Sequence, residues 1–270
     1  WQANLDLSFA RREGRTLLTR RSHTGPLQIQ KVLYPEGREI CHATVLHPPG
    51  GIAAGDSLNI AAQLDAGARV CLTTPGATKW YRCPQGESQQ QLRFSLGEGA
   101  ALEWLPRENI LFDASEVGMG LDVDLGPSAQ FIGWELLCFG RRASRETWRH
   151  GGLNLRTSIR QAGRLLWCER GQVRADSGFD CSAVGLAGCS VSGTLIAAGA
   201  PIDSATLTAC RSIVPGEGSR IGISALPQVL VARYLGHASQ DAFNWFVAVW
   251  HVLRPALLGV AASAPRIWAC

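Results

Sequence analysis

Lysine is nearly missing from this chain: its 270 residues include Lys31 and Lys79 and no other, so almost every basic charge is arginine. Charged residues of all kinds reach only 18%, against 46% hydrophobic. The net charge of +4 is small and dispersed, which argues against the concentrated basic face that nucleic acid requires. The densest cluster, Arg141, Arg142, Arg145 and Arg149, reads as a solvated or partner-facing loop. Nine cysteines occur, an odd number, and none sits in a CxxC pair. That argues against a zinc ribbon or a disulfide framework and for reduced, buried thiols in the cytoplasm. The first residues carry no secretory signal pattern. The most apolar run, residues 243–253, contains Asn244 and His251 and is followed by Arg254-Pro255. It is too short and interrupted to span a bilayer. Neither nucleic acid nor membrane is therefore an expected partner.

Catalytic patterns are also absent. There is no GxSxG elbow and no HExxH. The Gly-rich stretch Gly50-Gly51-Ile52-Ala53-Ala54-Gly55-Asp56 lacks a following Gly-Lys-Ser/Thr, and the spacing of Lys79 also fails the phosphate-loop pattern. Cys41, His42 and His47 cluster, but strand alternation sends neighbours to opposite faces, so a shared metal ion is disfavoured. His42 and His47 are instead expected to hydrogen-bond within their turn.

What is present is organised around residues 41–82. Two Gly/Pro-rich turns, HPPGGIAAGD and TTPGATKWYR, bracket the alternating segment Leu58-x-Ile60-x-Ala62-x-Leu64. The alternation predicts a strand, and so much Pro and Gly predicts an unusual backbone path at its ends. An internal repeat follows. Leu64-x-x-Gly67-Ala68-x-Val70-x-Leu72 recurs as Leu96-x-x-Gly99-Ala100-x-Leu102-x-Trp104 and as Leu125-x-x-Ser128-Ala129-x-Phe131-x-Gly133. A weaker fourth copy is Ile159-x-x-Ala162-Gly163-x-Leu165-x-Trp167. The period of about thirty residues fits stacked units of strand, tight turn and strand. The fold class expected is mainly β, layered or solenoid-like, as a single domain over 1–270; a plain sandwich of similar hairpins is the alternative.

Elsewhere, residues 5–9, 15–20 and 27–34 read as strands, with His23 in a solvated turn. Residues 105–116 read as a connection, and 171–188 as a loop with a short helical turn. Residues 203–214 suggest a helix capped by Asp203 or Ser204, and 219–235 one or two strands. Residues 239–253 form a helix that is apolar nearly all round, within a helical segment around 239–258; such a helix is buried on several sides. Pro255 is expected to end or kink it.

The carboxylates are the remaining candidates. Glu103 and Glu135 each lie beside a Trp in segments of low charge density, Asp56 ends the Gly-rich turn, and Glu36, Glu108 and Asp113 sit in connections. A carboxylate so placed is ordinarily paired or at the sheet surface. The functional alternative is that some line a polar passage for a weakly held divalent cation.

His47-Pro48-Pro49-Gly50-Gly51, Gly55-Asp56 and Thr73-Thr74-Pro75-Gly76-Ala77-Thr78-Lys79 resemble signatures of the urease accessory protein family UreD, also called UreH. Further matches follow in order: Gly25-Pro26-Leu27 with Tyr34-Pro35-Glu36, Leu102-Glu103-Trp104-Leu105-Pro106, Trp134-Glu135 with Cys138 to Arg141, and Pro265-Arg266-Ile267-Trp268. Departures are slight: Ala53-Ala54 fill the turn, and Arg107 stands where Gln is frequent. The resemblance implies a non-catalytic chaperone that bridges apo-urease to UreF, which carries the GTPase UreG, and that conducts Ni²⁺ to the urease metallocentre. It implies a mostly β fold with a few helices. No tightly bound cofactor is expected, only Ni²⁺ in transit, and the residues carried over are Asp56 and Glu135. Two other classes compete. A metal-dependent hydrolase on a β scaffold needs clustered His and carboxylates, and the six His are scattered. A structural or carbohydrate-binding β protein is expected outside the cell, with disulfides or a signal peptide.

Overall fold

The computed structural model describes residues 1–269. The chain opens with a long hairpin, β1 (Gln2–Arg12) and β2 (Arg15–Thr24), then β3 (Gln28–Ile29), β4 (Ile40–Leu46) and β5 (Gly51–Ile52). Successive coils follow: β6 (Ser57–Leu64), β7 (Arg69–Thr73) and β8 (Thr78–Trp80); β9 (Ser88–Leu96), β10 (Ala101–Leu105) and β11 (Asn109–Leu111); β12 (Ser115–Leu125) and β13 (Gln130–Phe139). A hairpin of β14 (Gly151–Gln161) and β15 (Arg164–Arg174) leads across to β16 (Val191–Ala198) and helix α1 (Ser204–Arg211). The hairpin β17 (Arg220–Leu226) and β18 (Val229–Gly236) and the long helix α2 (Ser239–Leu258) complete the order.

Each coil places one strand in each of two sheets. The first sheet runs β15-β14-β12-β9-β6-β1-β2 and the second β17-β18-β16-β13-β10-β7-β4-β3, with β5, β8 and β11 stacked as a short third side. The repeat explains the stacking. Leu64 lies opposite Leu96 and Leu96 opposite Leu125, while Val70, Leu102 and Phe131 align in the other sheet. At each corner the Ala68, Ala100 and Ala129 amides donate three residues back, at 3.1, 3.1 and 3.2 Å. The third residue of each turn, Gly67, Gly99 or Ser128, is left-handed, with φ of 67, 61 and 53°. Corner also bonds to corner: Gly97 N–H donates to Leu64 O and Gly126 N–H to Leu96 O, both at 2.7 Å.

The expected fourth copy does not occupy the next layer. Leu125 lies opposite Gln161, and the chain folds back into β15 within the same sheet. Ala162 and Gly163 both have positive φ, 47 and 80°, the two-residue turn that closes a hairpin. The other corners have one such residue and cross to the second sheet. Two smaller expectations also change, and of the two readings of Pro255 the structure excludes that it ends the helix. His23 lies in β2, opposite Leu5. The connection 105–116 contains β11, paired with β8 and β13. Pro255 lies inside α2, which continues to Leu258 and ends at left-handed Gly259. The helix over 204–211 is capped by Asp203, which accepts the Thr206 amide at 2.7 Å.

Two cores result. One fills the space between the sheets, with Leu5, Leu58, Phe94, Leu102 and Phe131 among its residues. The other lies between the second sheet and the helices, built on Trp134, Leu195, Phe246, Val249 and Trp250. Burying such side chains stabilises the fold by roughly 1.5–3 kcal/mol each, which is why a helix apolar nearly all round docks as a third layer. Its outward stripe is Asn244, His251 and Pro255.

Candidate functional site

Residues 41–82 form one wall of an internal cavity. After β4 the chain turns sharply, and the Gly50 amide donates to the His47 carbonyl at 2.9 Å. That turn faces the segment 74–78 ahead of β8. Between them lies a cavity of about 200 Å³ lined by His47, Gly50, residues 74–78, Trp104, Pro106, Arg107, Asn109, Trp134 and Glu135. The motifs singled out in the sequence therefore converge, although they are dispersed over some ninety residues. A second cavity, about 430 Å³, lies between the sheets and is lined by Phe131, Leu137, Phe139, Thr157, Glu169, Thr194 and Arg233 among others. Gln90, Leu92, Trp104, Met119, Trp134 and Glu135 border both.

Glu135 is the distinctive member of that shared wall. Strand alternation sends Ile132, Trp134 and Leu136 of β13 toward the helices and Phe131, Leu137 and Phe139 into the space between the sheets. Glu135 falls on the second set. Among the described residues its carboxylate has no hydrogen bond or ion pair. Burial pushes its pKa up to about 7, with the charge of Glu169 adding to the shift. Glu169 is itself paired with Arg233 at 2.7 Å, which ties β15 of one sheet to β18 of the other. Arg233 also donates to Thr194 at 3.1 Å, and Thr194 stands opposite Glu135 in the β13–β16 ladder.

Asp56 is placed differently and does not join Glu135. It is buried and accepts the Ala53 amide at 2.9 Å. Its own amide donates to Ala53 at 3.0 Å, so Asp56 closes the turn ahead of β6. It borders neither cavity, but its charge acts on His47, which does.

The histidines also part company. His42, expected to bond within the turn, instead meets Glu36 at 2.5 Å from the far side of the sheet. Both ring nitrogens of His47, expected to bond within the same turn, are buried with no partner among the described residues. Burial lowers its pKa, and the nearby charge of Asp56 opposes the shift.

The remaining carboxylates are paired. Glu103 receives Trp250 Nε1–H at 2.6 Å and the fork of Arg254 at 2.9 and 3.0 Å. The Arg254 guanidinium also donates to Glu36 at 2.5 and 2.7 Å. Glu36, His42, Glu103 and Arg254 thus form one buried network beneath α2. Glu108 is 3.5 Å from Arg107, and Asp113 accepts the Arg149 and His150 amides at 2.7 and 2.8 Å. Sequence reasoning missed Arg254, Glu169 and Arg233. The available signal for Arg254 was that it is the only basic residue in an apolar helix, beside an acid, Glu103, that needed a partner.

Chemically, the cavities offer one unpaired carboxylate, one unpartnered imidazole and a few amide and hydroxyl oxygens. Among the described residues no three His, Cys, Asp or Glu side chains are grouped so as to hold a metal ion. Such a set suits weak, exchangeable contact with a cation. No helix among the described residues is long and apolar enough to cross a membrane.

Comparison with known proteins points in one direction. The sequence model of one family, UreD urease accessory protein, matches residues 2–269. A urease accessory protein UreD from Methylobacillus flagellatus is 47% identical over 268 residues, covering 99% of this chain and 94% of that one. Those from Dechloromonas aromatica and Janthinobacterium are each 48% identical, covering 99% of this chain and 94% and 91% of theirs.

Proposed function

Because the chain belongs to the UreD family of urease accessory proteins, with a role in urease maturation, we propose that it is a non-enzymatic, cytoplasmic chaperone that joins apo-urease to UreF and UreG and conducts Ni²⁺ through the space between its sheets. GTP hydrolysis belongs to UreG on this reading. The observation that supports conduction is Glu135, a half-buried carboxylate with no partner among the described residues, on the wall that two cavities share. Burying such a group without a partner costs several kcal/mol or forces its protonation. A hydrated passage that admits a divalent cation removes that cost when the cation is present. With no third acidic or imidazole ligand, the cation is attracted without being trapped, as conduction requires. Asp56 adds negative charge behind His47 at the entrance. The apolar faces of α2 are already buried against the second sheet, so the expectation that co-expression with UreF raises solubility rests on the family reading alone.

Reconstituted urease activation, with and without this chain, tests the role. Glu135→Ala should lower urease nickel content and activity while the accessory complex still assembles. Asp56→Asn removes the charge yet keeps an acceptor for Ala53, and should weaken delivery less. Normal activation by both variants would dismiss conduction through these residues, and failed assembly would assign them to structure. A hydrolase reading has no observation in its favour.

A further inference from the structure

We propose that His47 is a nitrogen ligand at the mouth of the first cavity, and that it biases the passage toward borderline cations such as Ni²⁺ over the hard cations Mg²⁺ and Ca²⁺. The inference rests on the conduction reading and adds the specificity that a lone carboxylate lacks.

The first support is an unexplained cost. A buried polar nitrogen without a partner destabilises a protein by about 1–3 kcal/mol, and His47 has two with no partner among the described residues. Packing does not require a histidine there: Leu27, Val45, Leu58 and Ile60 line the same cavity, and an aliphatic side chain would suit such company better. The turn that carries His47 is nonetheless held in place through its carbonyl, so the ring is presented by a fixed backbone.

The second support is the donor set. His47 and Glu135 line one cavity, giving an imidazole and a carboxylate with room for water in the remaining coordination positions. Carboxylate and water alone suit Mg²⁺ and Ca²⁺, whereas imidazole suits Ni²⁺, Zn²⁺ and Cu²⁺. Mg²⁺ also gives up its waters reluctantly. Burial favours the neutral imidazole, the form with a lone pair to offer. Two protein ligands leave the cation exchangeable. Because affinity at such a site follows the general order of the divalent metals, Zn²⁺ and Cu²⁺ should compete with Ni²⁺ while Mg²⁺ and Ca²⁺ do not.

The test uses the full chain purified in complex with its adaptor. Ni²⁺ and Mg²⁺ binding is measured by equilibrium dialysis for the parent, His47→Gln, His47→Leu and Glu135→Gln, with nickel X-ray absorption on the loaded samples. Expected for both His47 variants is a loss of about tenfold or more in Ni²⁺ affinity, unchanged Mg²⁺ binding, and disappearance of imidazole scattering. His47→Leu should also raise the unfolding midpoint, because it removes the orphaned nitrogens and retains the volume. Unchanged Ni²⁺ affinity in folded His47 variants overturns the inference, as does a lowered midpoint in His47→Leu, which would show that the ring is held by structure. Glu135→Gln separates the two readings. If it weakens both cations while the His47 variants weaken neither, conduction stands and His47 has no part in it. If it changes neither cation nor urease activation, conduction itself falls, and the specificity built on it falls too.

Discussion

At the scale of single residues, Glu135 carries a folding cost that the proposed conduction would put to use. Its pKa is about 7 in the folded chain and 4.5 for a free glutamate. Between those values the folded state holds a proton that the unfolded chain has released, so stability falls as pH rises from about 4.5 to 7 and is level above. The shift corresponds to about 3 kcal/mol. Glu135→Gln should therefore be more stable than the parent by up to about 3 kcal/mol at pH 8, with the gap closing by pH 4. Urea unfolding at the two pH values measures it, and a gap independent of pH would show that the carboxylate is solvated. An acid beside Trp in a segment of low charge density stands out in the sequence, but the pattern marks Glu103 and Glu135 alike; that Glu103 finds Arg254 and Glu135 finds no partner depends on the docking of α2. His47 was visible only as a turn residue. Whether a ring in a Pro/Gly turn finds a partner depends on residues 74–78 and β13 folding against it, and no local pattern states that. Asp56 was legible as a buried acid, but its use in closing the turn depends on the Ala53 amide three residues back.

At the scale of elements, the corners and α2 carry the stability. Gly126 and Ser128 share one corner and should respond with opposite signs. A Cβ at Gly126 would sit 2.9 Å from backbone atoms of Leu96 and Gly97 in the preceding corner, so Gly126→Ala should cost about 1–3 kcal/mol. Ser128 is left-handed at φ 53°, a conformation costly for any residue with a Cβ, so Ser128→Gly should gain about 0.5–1 kcal/mol. Thermal midpoints of both variants check the pair. Helix α2 is held by charge as well as by packing. Arg254 is fully buried on Glu103 and Glu36, and Arg254→Met, which strands Glu103, should cost about 3–5 kcal/mol. Adding Glu103→Leu should restore part of that loss, because both sides of the pair are then apolar; a double variant no more stable than the single one would place the cost elsewhere. The strands and first three corners could be read from spacing, since parallel stacking preserves a repeat residue for residue. The fourth could not: Ala162-Gly163 matches the small-residue corner in composition, and two consecutive left-handed residues turn a crossing into a hairpin. The buried network was hidden because Arg254 lies far in sequence from Glu36 and Glu103 and meets them only when α2 docks.

At the scale of the whole molecule, the solenoid-like stacking leaves two cavities that share part of their lining, the space that the proposed conduction would use. A single closed core between two sheets would be filled by side chains throughout. Here the coils leave the His47 end and the Arg233 end lined by residues of both sheets, with Glu135 on the wall between them. If both cavities serve one route, blocking either should have the same consequence. Ala77 borders the first and Thr157 the second, and neither is fully buried, so a larger side chain can be introduced at each with little cost to the core. Ala77→Trp and Thr157→Trp should each reduce nickel in reconstituted urease several-fold with assembly of the accessory complex unchanged. The double variant should be worse than either single one but short of the product of the two losses, because obstructions in series on one path add as resistances. Nickel content of the activated enzyme and co-purification of the accessory proteins provide the two readouts. A defect confined to Ala77→Trp would end the route in the first cavity and place the exit beside Glu135. Single variants that each keep a large share of delivery, with loss only in the double variant, would mean that each end serves a separate path, and the two cavities would then not be one conduit.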